Sequence, residues 1–242
     1  MKRGQVTILL VVAVVIIAAV IFILFLNTSS KQTAIDVSKI DPVILPVYNH
    51  YLSCIETLTD EAVEIIGLSG GYIKLPEEYL NAGSSKIGYG ISKGKKVLVT
   101  NDKIEDEIED YLERFSTFCI DSDDFLDLII EDSKSEFKIK IEEGKIIVEV
   151  IKGFSIIKEE KGYEFKEGGI IEIKSEMYGL IKTSENIIDS QIKDLDSIDL
   201  ISLSEQDHPV EVVPFDEENF IFFVKSSENN EKQEIFRFGV NK

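Results

Sequence analysis

Histidine and cysteine are both scarce, with two of each in 242 residues. A zinc site asks for about four such ligands. His50 and Cys54 stand four apart and would share a helical face, but His208 has no local partner pattern, so a stacked or solvated His50 is the plainer reading. No Walker or Rossmann glycine pattern occurs, which removes the familiar phosphate-cradling loops. Internal repeats and long polar low-complexity tracts are missing too, so a folded chain is expected rather than a disordered one. Basic residues are in deficit, 26 against 45 acidic, for a formal net charge of −19. A field of that sign repels nucleic acid and anionic head groups, so no nucleic-acid partner is expected. No motif calls for a cofactor or a metal.

What is present begins with a charge asymmetry. Only Lys2 and Arg3 precede an apolar run from Val6 to Leu26, and every acidic residue follows it. The run has 21 residues without a charge, Gly or Pro. At about 1.5 Å per residue a helix of that length covers the roughly 30 Å hydrocarbon core. A secretory signal has a shorter apolar region, about 7–15 residues, ending in small residues. Here the end is bulky, with Phe22, Leu24, Phe25 and Leu26. The expectation is a retained single-pass transmembrane helix over 6–26, with the lipid bilayer as its partner. The positive-inside rule then puts residues 1–5 in the cytoplasm and the rest outside the cell membrane.

Lys2-Arg3-Gly4-Gln5, directly before the apolar run, resembles the class III signal peptide of type IV pilin-like proteins in archaea. The resemblance implies cleavage between Gly4 and Gln5 by a prepilin-type peptidase, leaving the apolar segment on the mature chain. Pilins that assemble carry a Glu at the fifth mature position, which is Leu9 here, so processing and filament assembly are separate questions. Further on, Cys54-Ile55-Glu56, Gly70-Gly71-Tyr72-Ile73 with Leu75-Pro76, and Leu112 leading to Cys119 resemble a group of uncharacterised archaeal surface proteins with a Cys–GGY–Cys pattern. That likeness implies architecture and no activity.

Residues 27–43 read as a stalk, with Asn27-Thr28-Ser29 a weak glycosylation sequon against the membrane. Residues 44–242 read as an extracytoplasmic α+β domain, with a possible subdivision near 125–135. Ile44, Val47, Tyr48, Tyr51, Ile55 and Ile66 fall at helical spacing, with Gly67 as the expected stop. Tyr72 to Leu75 reads as extended. Ile87 to Ile91 and Lys96 to Val99 read as a hairpin through Gly94. A second helix is expected from Asp102, carrying Cys119 on its apolar face. After Asp124 the pattern turns to strands: 137–141, 146–151, 154–157, 163–165 and 170–173, then a helix from Leu180 to Ile192, then strands at 210–213, 220–224 and 234–238. Helices packed with a mainly antiparallel sheet are expected.

An even cysteine count outside a membrane favours a Cys54–Cys119 disulfide over two buried thiols. Gly67-Leu68-Ser69-Gly70-Gly71 satisfies a G-x-S-x-G string, with His208 downstream. A nucleophile elbow needs a strand before the Ser and a helix after it, whereas a helix is expected before Ser69. Serine hydrolysis is therefore the weakest of three readings. The other two are a non-enzymatic, pilin-like surface protein of adhesive or envelope-assembly role, and a ligand-binding or accessory domain of a transport or secretion complex. Asp121, Asp123, Asp124 and Asp127 lack the Gly and final Glu of an EF-hand loop and read as a solvated connection. For the signal, the intact mass of the purified native chain decides: a mass beginning at Gln5 is expected, and one retaining Met1 or Lys2 removes the pilin link.

Overall fold

The chain divides into two units, Met1–Thr33 and Ala34–Lys242. In a computed structural model the described residues all belong to the second: 41–42, 44–120, 125, 129–132, 134–158, 160–165, 169–195, 197–227 and 233–241. Gly4, Gln5, the run 6–26, Asn27 and the acidic residues Asp121, Asp123, Asp124 and Asp127 lie outside them.

Helix α1 spans Leu45–Ser69, with Pro46 in its first turn, where a missing N–H costs nothing. Its buried positions, Val47, Tyr48, Tyr51, Ile55, Thr59, Ala62, Val63, Ile66 and Gly67, recur at three- and four-residue steps. The helix does not stop at Gly67 as expected. Gly70 ends it, at φ 75° with its N–H on the Ile66 carbonyl. Gly67 instead serves packing, since a Cβ there would sit 2.2 Å from the carbonyl oxygen of Ile235. Only a bare Cα lets the helix lie this close to a strand.

Short strands β1 (Tyr79–Ala82), β2 (Ser85–Ser92) and β3 (Lys95–Lys96) follow. The β2–β3 turn is Lys93-Gly94, both at positive φ (51° and 71°), the twist-matched geometry of a two-residue hairpin. Tyr72 to Leu75 is irregular rather than extended strand. Helix α2 spans Asn101–Phe115, opened by the Thr100 hydroxyl accepting from the Lys103 N–H, and runs into a 3-10 turn, Ser116–Cys119. Cys119 therefore lies on that turn, one step beyond the helix expected to carry it.

Strands β4 (Ile129–Asp132), β5 (Glu136–Glu142), β6 (Lys145–Lys152), β7 (Ser155–Lys158), β8 (Lys161–Glu164) and β9 (Gly169–Lys174) come next. Helix α3 (Met177–Gln191), the short α4 (Leu200–Ser204), and strands β10 (Val210–Pro214), β11 (Asn219–Lys225) and β12 (Ile235–Asn241) complete the described chain. They form three sheets: β4-β7-β8 and β5-β6-β9, both antiparallel, and a six-stranded sheet of order β1-β2-β12-β11-β10 with β3 on β2.

The α+β class holds, but the expected mainly antiparallel sheet needs correction. In the largest sheet β12 runs parallel to β2, with Gly239 opposite Tyr89 and Val240 opposite Ile91, so that sheet is mixed. Parallel neighbours need a long connection, and here the middle of the chain supplies it. Hairpin signals cannot show a pairing between such distant segments. The expected transmembrane helix is not found either: among the described residues no helix is long and apolar enough to cross a membrane.

The larger of two apolar clusters runs through the unit, from Ile44 and Val47 on α1 to Phe236, Phe238 and Val240 on β12, and the smaller joins Leu80, Ile87 and Ile221. Helix α1 meets β12, β2 and β9 as well as α2, so one helix serves two sheets. Helix α2 lies along β5, the edge of its sheet. Glu109 Oε1 accepts the Ile139 N–H (2.9 Å) and Glu105 Oε1 the Ile141 N–H (2.8 Å). The fit is metric. Four helical residues rise about 6 Å, and two strand residues span about 6.6–6.8 Å.

The β10 edge is managed differently. Phe215 and Lys225 donate to Asn219 and Pro209 across the ladder, so the even-numbered positions turn their backbone outward. Pro214 is one of these and has no N–H to offer. Replacing Gly67 by Ala should cost up to about 2 kcal/mol net in urea unfolding, since overpacking against backbone, about 1–3 kcal/mol, outweighs the gain of about 1 kcal/mol in helix propensity. Gly162→Ala, where no atom lies within 4 Å, is the control and should stay within about 0.5 kcal/mol.

Candidate functional site

The two cysteines meet. Cys54 on α1 and Cys119 on the 3-10 turn are bonded, with Cα atoms 5.6 Å apart and a sequence separation of 65. Closing a loop of that size contributes about 4 kcal/mol in the chain-entropy account. Cys54 is thereby removed as a metal ligand, and His50 packs edge-on to Phe125 at 5.5 Å. Among the described residues no group of three or more His, Cys, Asp or Glu side chains is placed to hold a metal ion.

Ser69 is the last residue of α1, and irregular chain follows it, so the strand–turn–helix of a nucleophile elbow is not formed there. His208 has other partners. Its Nδ1 lies 2.9 Å from the Thr183 hydroxyl and its Nε2 3.5 Å from Glu176 Oε2. Gly179 makes room for the ring, since a Cβ there would stand 2.7 Å from His208 Cε1. The Thr-His-Glu order has the look of a triad, but Thr183 is 3 % exposed, and a hydroxyl so enclosed meets no substrate. The group ties α3 to the chain entering β10.

Glu107 is a second carboxylate with a structural role. Its side chain is 4 % exposed, Oε2 accepts the N–H groups of Ile73 (3.1 Å) and Lys74 (2.9 Å), and Lys103 Nζ lies 3.3 Å from Oε1. A buried charge needs such partners. They fix the loop that leads from Gly71 to β1, and Glu77 and Glu78 at the end of that loop line a surface hollow.

An open cleft of about 470 Å³ lies where β1, β2 and β12 end, lined by Glu77, Glu78, Tyr79, Asn81, Tyr89, Ser92, Lys93 and Asn241. Ser92 and Asn241 are close to the carboxyl ends of the two parallel neighbours. Two hydrogen-bond groups stiffen the walls. Glu78 accepts from Ser92 Oγ (3.1 Å) and Lys93 Nζ (2.5 Å), and these bonds hold its carboxyl below the ordinary range. The left-handed backbone at Lys93 belongs to the hairpin turn that brings this ammonium to Glu78.

On the other wall, Asn219 Oδ1 accepts from Tyr89 OH (3.2 Å) and Asn241 Nδ2 (3.1 Å). The amide of Asn219 in turn donates to both oxygens of Asp216, at 2.8 and 2.9 Å. Asp216 also accepts the Glu218 and Asn219 N–H groups, bonds that keep it ionised below its usual range. Burial, then the charges of Asp216 and Glu78, pushes the Tyr89 phenol up, so it remains a protonated donor. Lys86 Nζ sits 5.0 Å over the Tyr79 ring.

None of these cleft residues stands out in the sequence. Strand β1 has four residues, too few to register as alternation, and the Gly83 turn after it is the only local sign. No known protein family, curated protein or solved structure matches the chain. What the cleft can do chemically is to offer fixed polar groups to a polar ligand arriving from solvent.

Because the Glu78 carboxyl is depressed in the folded state, its contribution is present above the ordinary carboxylate range and lost as pH falls through the lowered value. In a side-chain NMR titration Lys93→Ala should move the Glu78 midpoint upward, towards that of an unpaired glutamate. An unchanged midpoint would mean that the Lys93 contact does not persist in solution.

Proposed function

We infer that this chain is a membrane-attached, pilin-like surface protein of non-enzymatic role, whose α+β unit serves adhesion or assembly with other envelope proteins. The observation that carries the reading is the Cys54–Cys119 bond, which leaves no free cysteine in the chain. Disulfides persist in oxidising compartments and are rare where thiols are kept reduced. The Lys2 to Gln5 signal and the apolar segment 6–26 give the same direction, with the acidic part outside and the apolar segment as its attachment to the bilayer.

The polar, stiffened cleft suits recognition of something presented at a surface. It fits less well the enclosed, mostly apolar site of a solute-binding accessory domain. Two experiments on intact cells test the placement. Added protease should cut the acidic domain without lysis, and a membrane-impermeant maleimide should label neither cysteine until a reductant is added. Protection from protease, or thiols that react only after lysis and without reductant, would place the domain inside and end the reading.

A further inference from the structure

The cleft at the ends of β1, β2 and β12 also restricts its ligand. Charge comes first. The chain carries −19, and the cleft lining has two carboxylates, Glu77 and Glu78, against one ammonium, Lys93, which Glu78 already occupies, while the neighbouring Lys86 ammonium lies over the Tyr79 ring. Phosphates, sulfates and acidic sugars are repelled. A bound metal ion is not favoured either, since no group of three ligating side chains forms among the described residues. An apolar ligand would find walls made largely of carboxylate, amide and hydroxyl.

What remains is a neutral ligand rich in hydroxyls. The unused groups fit one. Among the described residues the side chains of Glu77 and Asn81 make no hydrogen bond or ion pair, and Asn241 spends only its amide N–H, keeping its carbonyl oxygen. Carboxylate and amide groups on a stiff frame take vicinal hydroxyls in pairs, since each hydroxyl both donates and accepts. Tyr79 and Tyr89 add amphipathic rings, and tyrosine supplies contact area at low entropy cost with a polar tip. The frame is set beforehand by the Asp216–Asn219–Tyr89 and Glu78–Ser92–Lys93 bonds, which limits the ordering cost of a weak ligand.

We propose that this cleft is a carbohydrate-binding site for a neutral sugar unit of a surface glycan, with Glu77, Asn81 and Asn241 taking its hydroxyls and the Tyr79 ring lining its less polar face. The proposal rests on the surface-protein reading and names the class of partner for it.

The chain has no tryptophan, and two of its 8 tyrosines, Tyr79 and Tyr89, line the cleft, so a change in tyrosine emission on titration is read without an indole background. The full chain in detergent is titrated with cellobiose, N,N′-diacetylchitobiose and mannobiose, by tyrosine fluorescence and saturation-transfer NMR. At least one disaccharide should bind, and Asn81→Ala and Glu77→Gln should each weaken it at least about tenfold, the loss of a good hydrogen bond. Both positions are exposed, so unfolding midpoints should stay at the native value. Lys161→Ala, on β8 outside the cleft lining, should bind as the native chain does.

The proposal falls if no disaccharide binds, or if binding ignores both cleft variants. It falls equally if hexalysine binds there in place of sugar, since that makes the cleft a site for basic peptides. A pull-down from envelopes with the Asn81→Ala, Glu77→Gln chain separates the two levels. Partners recovered undiminished overturn the sugar site and leave the adhesive role standing. Partners lost together with sugar binding support both.

Discussion

Everything in the described unit depends on one helix having to satisfy two sheets. Helix α1 touches β9 of one sheet and β2 and β12 of another, so its apolar stripe cannot be discharged against a single surface. Its first half carries the aromatic packing: Tyr48 stacks on Phe165 (5.3 Å), Phe165 on Phe154 (4.2 Å), and Tyr51 leans on Phe154 (4.9 Å). Burial pushes the Tyr48 phenol up to about 12, and it raises Tyr51 as well, whose hydroxyl is satisfied by Ser135 at 2.6 Å. In its second half ring gives way to backbone, and Gly67 lets the helix settle on Ile235. Arg237 donates to the Leu68 carbonyl beside it. The disulfide fastens α1 to the end of α2 between these regions.

The acidity that the composition presents as a surface property has internal uses. Glu105, Glu107 and Glu109 on α2 all accept backbone N–H groups from other segments, and Glu234 accepts the Glu176 N–H at 2.8 Å. Carboxylates that receive main-chain donors form charge-assisted bonds, stronger than neutral ones. Part of the negative charge is therefore fold chemistry. It also explains why α2 bears Glu105 and Glu109, four apart, on the side that faces β5, with Glu107 turned to the loop at Ile73 and Lys74, a pattern easily mistaken for a solvated helix face.

Much of this was legible in the sequence, for identifiable reasons. The α1 and α2 stripes, the β5–β6 hairpin through Glu143-Gly144, and the final strands all show local periodicity, and periodicity is what a sequence displays. The Cys54–Cys119 pairing was legible because only one pairing is possible. What escaped was non-local. The parallel β2–β12 contact joins segments from opposite ends of the domain, and no hairpin rule reaches that far. Gly67 looked like a helix stop because a glycine at a helix end and a glycine under a strand have the same letter. The cleft escaped for a similar cause: Glu77, Asn81, Tyr89 and Asn241 become neighbours only when β1, β2 and β12 lie side by side. The run 6–26, the clearest single feature of the sequence, lies outside the described residues.

The carboxylate ladder along β5 has a consequence for crowding. Unpaired strand edges are templates, and copies packed at high density tend to zip together through their backbones. Here one edge is already answered by Glu105 and Glu109, and at another Pro214 leaves the template a tooth short. Backbone zippering reads no sequence and is hard to undo. With these two edges obstructed, zippering between copies has fewer strand edges from which to start.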